Sequence, residues 1–516
     1  MRPLDSLSSQ QLEGTDGAAF PFWSPDSRHL AFFQDGKLKK IDVTGGPAVT
    51  LCDVPDGRGG AWGGDDVIIF APGTLNSGGL MRVEAAGGAP AAITAHKGEG
   101  SAFSNRWPFF LPDGKHFLYL SGDLTAIGTS KLGIYVGKVG TDEQEFLVQA
   151  DSSALYAPPG YLLYLRGDTL MAQPFDAGSQ KLKGEAFPVA EQVASPQLFR
   201  LAYFTVSQNG MMVYQTGEAS SNSQFVWIGD DGKPGGVVTE PGSAQEPQLS
   251  PDGRRLAYLV AESGGKSSDI WILDLERGVR TRFTFGPEVA DTPVWSPDGS
   301  RIAYDLIKNG RGDLYVKDSS GAGKAELLFE SDANKTPVDW SRDGRYILFD
   351  SLDPQGKTKY DIWAMPMFGD RKPFPFIHSE FEEPEAMFSP NTHWVAFESN
   401  ESGNYEVYLS PFPDGGAKWQ ISQGGGVQPM WKRDGSAVYY LAPGGKMMEA
   451  SVGEKGSAVE IGTPHQLFQT TMAEAGAFGR AYSVSPDGKK FLVEKQERGT
   501  APPLTLVANW TAGLKK

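Results

Sequence analysis

The chain has 516 residues, a formal net charge of −16 at pH 7 and an isoelectric point near 5.0. This balance works against binding a nucleic-acid backbone, which requires clustered Lys and Arg, so we expect no nucleic-acid partner. The single cysteine, Cys52, excludes an intrachain disulfide and a thiolate metal cage. With 64 glycines, 36 prolines and 11% aromatic residues, the composition favours many short strands joined by tight turns.

The N-terminal segment lacks the basic stretch and apolar run of an export signal, and no apolar stretch of 18 residues occurs in the chain. We therefore expect no membrane insertion within this chain. Its opening, RPLDSLSSQQLEG, has the pattern of the third and fourth strands of a sheet without its first two strands. This pattern predicts an N-terminal truncation.

A turn between two apolar strands recurs along the first half of the chain at intervals of 39 to 49 residues. Its first copy lies in FPFWSPDSRHLAFF, which has the pattern of a β-hairpin. The copies in this half are degenerate and predict five sheets. The turns are marked by Asp26, Asp65, Asp113, Gly160 and Asn209.

In the second half the same turn is more regular, as in EPQLSPDGRRLAYL and TPVWSPDGSRIAYD. Pro fixes φ early in the turn, Asp accepts from its own downstream backbone, and Gly takes the positive φ that closes the hairpin. A third strand that begins with an acid follows, and segments such as RTRFTF supply a fourth. Six four-stranded sheets are predicted, with turns at Asp252, Asp298, Asp343, Asn391, Asp434 and Asp487.

Four-stranded antiparallel repeats that cannot bury their faces alone stack around a ring as the blades of a β-propeller, and rings of four to eight blades are usual. We therefore predict an all-β fold of tandem β-propellers, two six-bladed rings of which the first is N-terminally truncated. A break near residue 242 divides residues 1–242, with five full blades and a partial one, from the six-bladed ring of residues 243–516. The last blade has three predicted strands, AYSV, KFLVEK and PLTLV. We expect another segment of the same ring to supply its fourth strand.

The S-P-D-G turn, followed by a third strand of the type aspartate–apolar–aromatic, resembles the TolB-type propeller repeat, most strongly over residues 245–493. A narrower resemblance, in FPFWSPDSRHLAFFQDGKLKKIDVTGG, FGDRKPFPF and NWTAGLKK, is to the C-terminal sensor region of Acidobacteria-type bacterial serine/threonine kinases. The Gly-rich phosphate loop, the His-Arg-Asp loop and the Asp-Phe-Gly triplet of a kinase are absent. The resemblance thus implies a sensing or scaffolding role and a periplasmic or other extracytoplasmic location, without kinase activity.

The candidate binding surface is the mouth of the C-terminal ring, where side chains precede the innermost strands and vary while the turns do not. An ordinary polar rim is the alternative interpretation. The candidate residues are Glu246, Asp291, Lys335, Glu382, Glu385, Gln428 and Arg480.

Motifs for catalysis or metal binding are weak. No G-x-S-x-G motif marks a hydrolase nucleophile, and the six histidines lack the spacing of a metal site, so we expect no metal or cofactor. The acidic pair Glu382-Glu383 lacks the spacing of a calcium loop, which favours a solvated rim.

These observations favour a non-catalytic module that binds a protein, a peptide or a cell-envelope ligand, as the sensor part of a receptor kinase or as an envelope scaffold. The alternative is a propeller-type hydrolase or lyase with its site in the central channel. Two or more buried carboxylates or histidines in a deep pocket would favour the enzyme.

Overall fold

The computed structural model of the protein divides into two compact units, Met1–Ala219 with Ala501–Lys516, and Ser220–Thr500. The residues that the structure describes are 12–15, 17–34, 36–54, 57–73, 79–94, 103–123, 132–141, 143–195, 200–216, 223–261, 268–286, 288–308, 311–352, 360–455, 458–470, 479–496 and 504–513.

The described part of the first unit contains five antiparallel sheets, A1 to A5, and one 3₁₀ helix, Trp510–Gly513. In A4, two strands pair with the third strand Thr169–Asp176. A5 has three described strands, and its third comes from the C-terminal end of the chain. The strands are Ala19–Trp23, His29–Gln34, Lys37–Asp42 and Val49–Asp53 in A1; Gly60–Trp62, Val67–Phe70, Met81–Glu84 and Ala91–Ala92 in A2; Phe103–Phe110, His116–Asp123, Leu132–Lys138 and Gln144–Gln149 in A3; Ala154–Ala157, Tyr161–Arg166, Thr169–Asp176, Lys181–Leu182 and Phe187–Ala190 in A4; and Phe204–Val206, Met212–Gln215 and Leu504–Val507 in A5.

The second unit contains six antiparallel sheets, B1 to B6, among its described residues. In B1 to B5 the strands pair in chain order, and B5 has a fifth strand. The strands are Ala244–Leu249, Arg255–Ala261, Ser268–Asp274 and Val279–Arg282 in B1; Val289–Trp295, Arg301–Lys308, Arg311–Asp318 and Glu326–Phe329 in B2; Asn334–Trp340, Tyr346–Leu352, Tyr360–Pro366 and Phe374–Ile377 in B3; Met387–Phe388, Trp394–Ser399, Glu406–Pro411 and Trp419–Gln420 in B4; Val427–Trp431, Ala437–Ala442, Lys446–Lys455, Ala458–Ile461 and His465–Gln469 in B5; and Tyr482–Val484, Lys490–Gln496, Ser223–Gly229 and Pro234–Val237 in B6.

Sheet B6 joins the two ends of the second unit. Its inner strands, Tyr482–Val484 and Lys490–Gln496, come from the end of the unit, and its outer strands, Ser223–Gly229 and Pro234–Val237, come from the beginning. Strand Ser223–Gly229 pairs with Lys490–Gln496 over its whole length. This pairing removes two free sheet edges, which would otherwise invite association with other chains.

Six apolar clusters lie between successive sheets of the second unit and form a closed cycle. Trp295 of B2 packs in a cluster with Ala257 of B1, for example, and each following pair of sheets shares such a cluster. The sixth cluster packs Phe225 of B6 with Tyr258 of B1. The core of this unit therefore lies between its sheets, as in a propeller, and not on one side of a single sheet.

The repeated turns adopt the predicted geometry in the second unit. Ser250 donates to Asp252 Oδ1 (2.6 Å), which also accepts from the N–H of Arg254 (3.1 Å). The following Gly253 has φ of 71°. The same bonds recur at Asp298, Asp343 and Asp487, so these aspartates form turns, as predicted.

The acids that begin the third strands bind the segment after the fourth strand of their own sheet. Asp269 accepts from Thr284 Oγ1 (2.8 Å), Asp361 pairs with His378 (2.9 Å), and Glu406 accepts from the N–H of Gly424 (2.8 Å). Asp313 makes the corresponding contact with Lys335 of the next sheet. These acids hold the connection to the next sheet in place.

The division of the chain differs from the expected boundary near residue 242. The predicted boundary places strands Ser223–Gly229 and Pro234–Val237 in the first ring. In the structure they belong to B6 of the second unit. Strand Leu504–Val507, expected in the last blade, pairs with Met212–Gln215 in the first unit. The apolar alternation of a strand does not identify its neighbour, so turn spacing alone could not reveal this exchange. The segment interpreted as strands of a partial blade lies mostly outside the described residues.

Candidate functional site

The innermost strands of the second unit depart from regular pairing six residues before their turn markers. The backbone there has positive φ at Glu246 (53°), Thr292 (41°), Glu385 (57°) and Gln428 (56°). The pairing register also shifts at this place in B1, B2 and B5. A bulge turns a backbone N–H out of the ladder, so this group needs another acceptor.

Acidic side chains of the preceding sheet accept three of these N–H groups. The N–H of Glu385 donates to Asp350 Oδ2 (3.2 Å), and that of Gln428 donates to Glu398 Oε1 (2.5 Å). The N–H of Glu246 donates to Glu494 Oε2 (3.1 Å), which links B6 to B1. Each of these acids ties its own sheet to the next one around the cycle.

Two sheets carry an apolar residue where the acid would stand, Leu259 in B1 and Leu441 in B5. In the next sheet, the backbone N–H that such an acid would have bound has another acceptor. Thr292 donates to Asp291 Oδ1 (3.1 Å), and Ala481 donates to Gln428 Oε1 (2.9 Å).

Asp305 is the exception to this arrangement. It occupies the acid position of B2, but the corresponding residue of B3 is Pro337, which has no N–H to donate. Asp305 is 1% exposed, and its Oδ1 has no hydrogen-bond partner among the residues that the structure describes. Buried polar atoms without a partner are uncommon in native proteins.

Arg480 reaches from B6 to the sheets on the other side of the cycle. Its Nε donates to Glu385 Oε2 (3.2 Å), and its Nη2 donates to the carbonyls of Val338 (3.0 Å) and Ala386 (3.1 Å). The preceding N–H of Gly479 donates to Glu385 Oε1 (3.0 Å). Because B6 and B3 are three sheets apart in a cycle of six, Arg480 lies in the middle of the unit.

Seven carboxyl groups surround this centre, and we call them the acidic cluster. Charges from B2, B4 and B6 all act on Glu246 of B1, so the groups lie close enough to interact across the cycle. Their members are Glu246, Asp291, Asp305, Asp350, Glu385, Glu398 and Glu494.

Burial raises the pKa values of most of these carboxyl groups. It raises the pKa of Asp291 to about 6 and that of Glu494 to about 7. For Asp305, burial and the negative charge of Asp291 raise the pKa well above its usual range. Burial also raises the pKa of Glu246, and the charge of Asp291 adds to this effect. The environment of these four groups therefore favours their protonated forms, because full ionisation would place several like charges in a poorly solvated space.

The structure brings together five of the seven predicted residues, Glu246, Asp291, Glu385, Gln428 and Arg480. The two others are engaged elsewhere. Lys335 is fully buried and binds Asp313 Oδ1 (2.9 Å) and the carbonyl of Ser331 (3.0 Å). Glu382 accepts from the hydroxyl of Tyr405.

The neighbouring Glu383 does not form the solvated rim that its sequence suggested. It is fully buried and binds Lys418 (3.0 Å) and Ser379 (2.7 Å). In the described part of the chain, no group of three or more His, Cys, Asp or Glu side chains is arranged to hold a metal ion.

Sequence reasoning missed the acids of the second strands. Asp305, Asp350, Glu398 and Glu494 each stand seven residues after a turn marker, at the ends of RIAYD, YILFD, WVAFE and FLVE. An acid that follows the apolar residues of the second strand at the same position in four repeats was the available signal. The predicted site residues all belong to the segments that enter the first strands, so these acids were not among them.

Residues 211–371 match the family model described as the TolB beta propeller domain. These residues are therefore similar to a TolB-like β-propeller domain. No curated protein sequence matches the chain. None of the described helices of the protein is both long and apolar enough to cross a membrane.

Solved structures similar to this chain share little sequence with it. A putative TolB from Agrobacterium tumefaciens is 19% identical, with a TM-score of 0.42, over 54% of this chain and 99% of that one. TolB from Acinetobacter baumannii is 16% identical, with a TM-score of 0.37, over 67% of this chain and 79% of that one. The tricorn protease is 12% identical, with a TM-score of 0.34, over 96% of this chain and 63% of that one.

Proposed function

We propose that the protein is a non-catalytic binding module that recognises a protein, peptide or cell-envelope ligand at the acidic cluster of its second unit. The observation that supports this most is Asp305, a buried carboxyl group whose Oδ1 lacks a donor among the described residues. The other second-strand acids serve the links between sheets, whereas Asp305 has no such role. A group retained at this cost in stability is a candidate for contact with a ligand.

Retention of ligands by the immobilised full chain tests the proposal. Wild type, the double variant Asp291→Asn/Asp305→Asn, and a control with Asp318→Asn and Glu326→Gln in B2 are incubated with an envelope fraction. Retained components are identified by mass spectrometry. We expect one or more components to be retained by wild type and control and lost from the double variant. Equal retention by all three proteins, each folded by circular dichroism, would contradict the proposal.

The enzyme remains the second candidate, because several carboxyl groups with raised pKa values meet in the acidic cluster. Asp291 and Asp305 are opposed across two strands, and a carboxyl pair can serve as acid and base. The acceptor role of Asp350, Glu398 and Glu494 between the sheets favours binding over catalysis. Mass spectrometry of peptides and acidic oligosaccharides incubated with wild type or Asp305→Asn separates the two candidates, since product formed only by wild type would favour an enzyme.

The resemblance to TolB and to kinase sensor regions supports an extracytoplasmic location and a role as a receptor-kinase sensor or envelope scaffold. Protease treatment of source cells with a permeabilised outer envelope tests the location. We expect degradation of the protein while a cytoplasmic marker stays intact. Protection until the cells are lysed would argue against it.

A further inference from the structure

The carboxyl group of Asp305 has two other carboxyl groups in its neighbourhood. Asp305 and Asp291 are directly opposed on paired strands of B2, so their side chains lie on the same face of the sheet. The charges of both aspartates act on Glu246 of the neighbouring sheet B1. Three acids from two adjacent sheets therefore lie close enough for their charges to interact.

The two buried cations among the described residues of the second unit, Lys335 and Arg480, are committed to other acids. Arg480 binds Glu385 and two carbonyl groups, and Lys335 binds Asp313. The backbone donor that serves the corresponding acids in B3, B4 and B6 is missing here because of Pro337. Among the described residues, the unsatisfied Oδ1 of Asp305 thus has neither a backbone donor nor a cation.

A positively charged nitrogen donor would satisfy this oxygen and favour the ionised carboxylate. A primary ammonium group carries three N–H donors in a compact head and can bond to oxygens of separate carboxyl groups, whereas the planar fork of a guanidinium fits a single carboxylate.

We propose that Asp305, together with Asp291 and Glu246, binds the primary ammonium group of a ligand. The ammonium comes from a lysine side chain or from the α-amino group of a peptide. This inference rests on the proposed function, because it names the chemistry recognised at the same site. The raised pKa values of these carboxyl groups support it, since a bound cation would favour their ionised forms and release protons.

Isothermal titration calorimetry of the full chain at neutral pH, in two buffers of different ionisation enthalpy, tests the inference. The probes are three glycine-rich amidated peptides: an acetylated one with an internal lysine, a non-acetylated one without lysine, and an acetylated one without lysine. We expect the third not to bind and at least one of the others to bind with release of protons. The first two probes distinguish a lysine side chain from an α-amino group.

Variants assign the binding to Asp305. Asp305→Asn should weaken binding at least about tenfold and reduce proton release, because a charge-assisted hydrogen bond is lost. Asp332→Asn, which removes an equal charge from a side chain that is 97% exposed, should bind like wild type. If Asp305→Asn does not fold, Asp305→Leu replaces it, since B1 and B5 carry Leu at this position.

Two outcomes would overturn the inference: failure of both ammonium peptides to bind wild type, or unchanged binding by the folded Asp305 variants. The two experiments distinguish failure of this inference from failure of the proposed function. Loss of envelope ligands in the double variant without any ammonium binding would overturn the inference alone. Ammonium binding that depends on Asp305, with envelope ligands retained by the double variant, would overturn the proposed function alone.

Discussion

Asp298 and Trp295 lie three residues apart in B2 and contribute to stability in different ways. Asp298 accepts hydrogen bonds within an exposed turn, from Ser296 (2.6 Å) and from the N–H of Ser300 (3.0 Å). Trp295 is 7% exposed, packs between B1 and B2, and donates to the carbonyl of Gln248 (2.9 Å). When the aspartate is removed, water can replace its hydrogen bonds in the exposed turn. When the buried indole is removed, a cavity remains in the core.

We therefore expect Asp298→Ala to lower the free energy of unfolding by about 1 kcal/mol and Trp295→Ala by about 3–5 kcal/mol. Urea denaturation followed by circular dichroism measures both losses. Equal losses would show that the assignment of turn and core is wrong.

Arg480 supplies the second prediction at this scale. Arg480→Met leaves the buried carboxyl group of Glu385 without its cation, so we expect a loss of about 3–5 kcal/mol in the second unit. The double variant Arg480→Met/Glu385→Gln should lose less than the sum of its single variants, as groups in contact do. Arg277→Met at an exposed position should change stability by less than about 0.5 kcal/mol. Additive losses in the double-mutant cycle would contradict a direct pair.

The sequence was enough to predict the role of the turn aspartates, but not the contact partners of the other charged side chains. The turn aspartates could be predicted because their bonds are local, to residues two positions away. The positions of Lys335 and Glu382 could not, because their partners Asp313 and Tyr405 lie 22 and 23 residues away, in or between other strands. Pro337 leaves Asp305 of the preceding sheet without a backbone donor. This effect could not be predicted either, because it depends on how the two sheets pack.

The pairing of strands decides which segments of the chain belong together. Each sheet was predictable from its own hairpins, because the first three strands of B1 to B4 follow one another closely in sequence. The exchange at the ends of the units was not, because Ser223–Gly229 pairs with a strand more than 260 residues away. Leu504–Val507 likewise pairs with Met212–Gln215, although all residues of the second unit lie between these two strands in the sequence.

Removal of residues 501–516 tests this exchange. The deletion takes away the third described strand of A5 and Trp510, which is 5% exposed and packs on Tyr161. We expect the thermal transition of the first unit to fall by about 10 °C, because loss of a buried Trp costs about 3–5 kcal/mol. The transition of the second unit should not move in differential scanning calorimetry. A fall confined to the second unit would place this strand in B6 instead.

At the scale of the whole molecule, the acidic cluster predicts how stability depends on pH. Asp291 and Glu494 have pKa values raised to about 6 and about 7, so the folded protein holds more protons than the unfolded chain between about pH 4 and 7. Stability should therefore decrease as the pH rises through this window and level off above it. Below about pH 4 it should decrease again, because turn acids such as Asp298, with a pKa of about 2, become protonated.

Chemical denaturation of the second unit across this range should thus show a maximum near pH 4–5. Asp291→Asn should remove part of the decrease, on the order of 3 kcal/mol at most, because two pKa units correspond to that energy. Asp332→Asn should leave the profile unchanged. Stability that rises steadily from pH 5 to 8 would contradict the raised pKa values.

We propose that the protein binds its ligand at the acidic cluster in the middle of the second unit. A crystal structure of the full chain with a component retained from the envelope fraction tests this most directly. We predict that the ligand lies against Glu246, Asp291 and Asp305, with a donor within about 3 Å of Asp305 Oδ1. A ligand bound only to the outer strands, with the acidic cluster untouched, would contradict the claim.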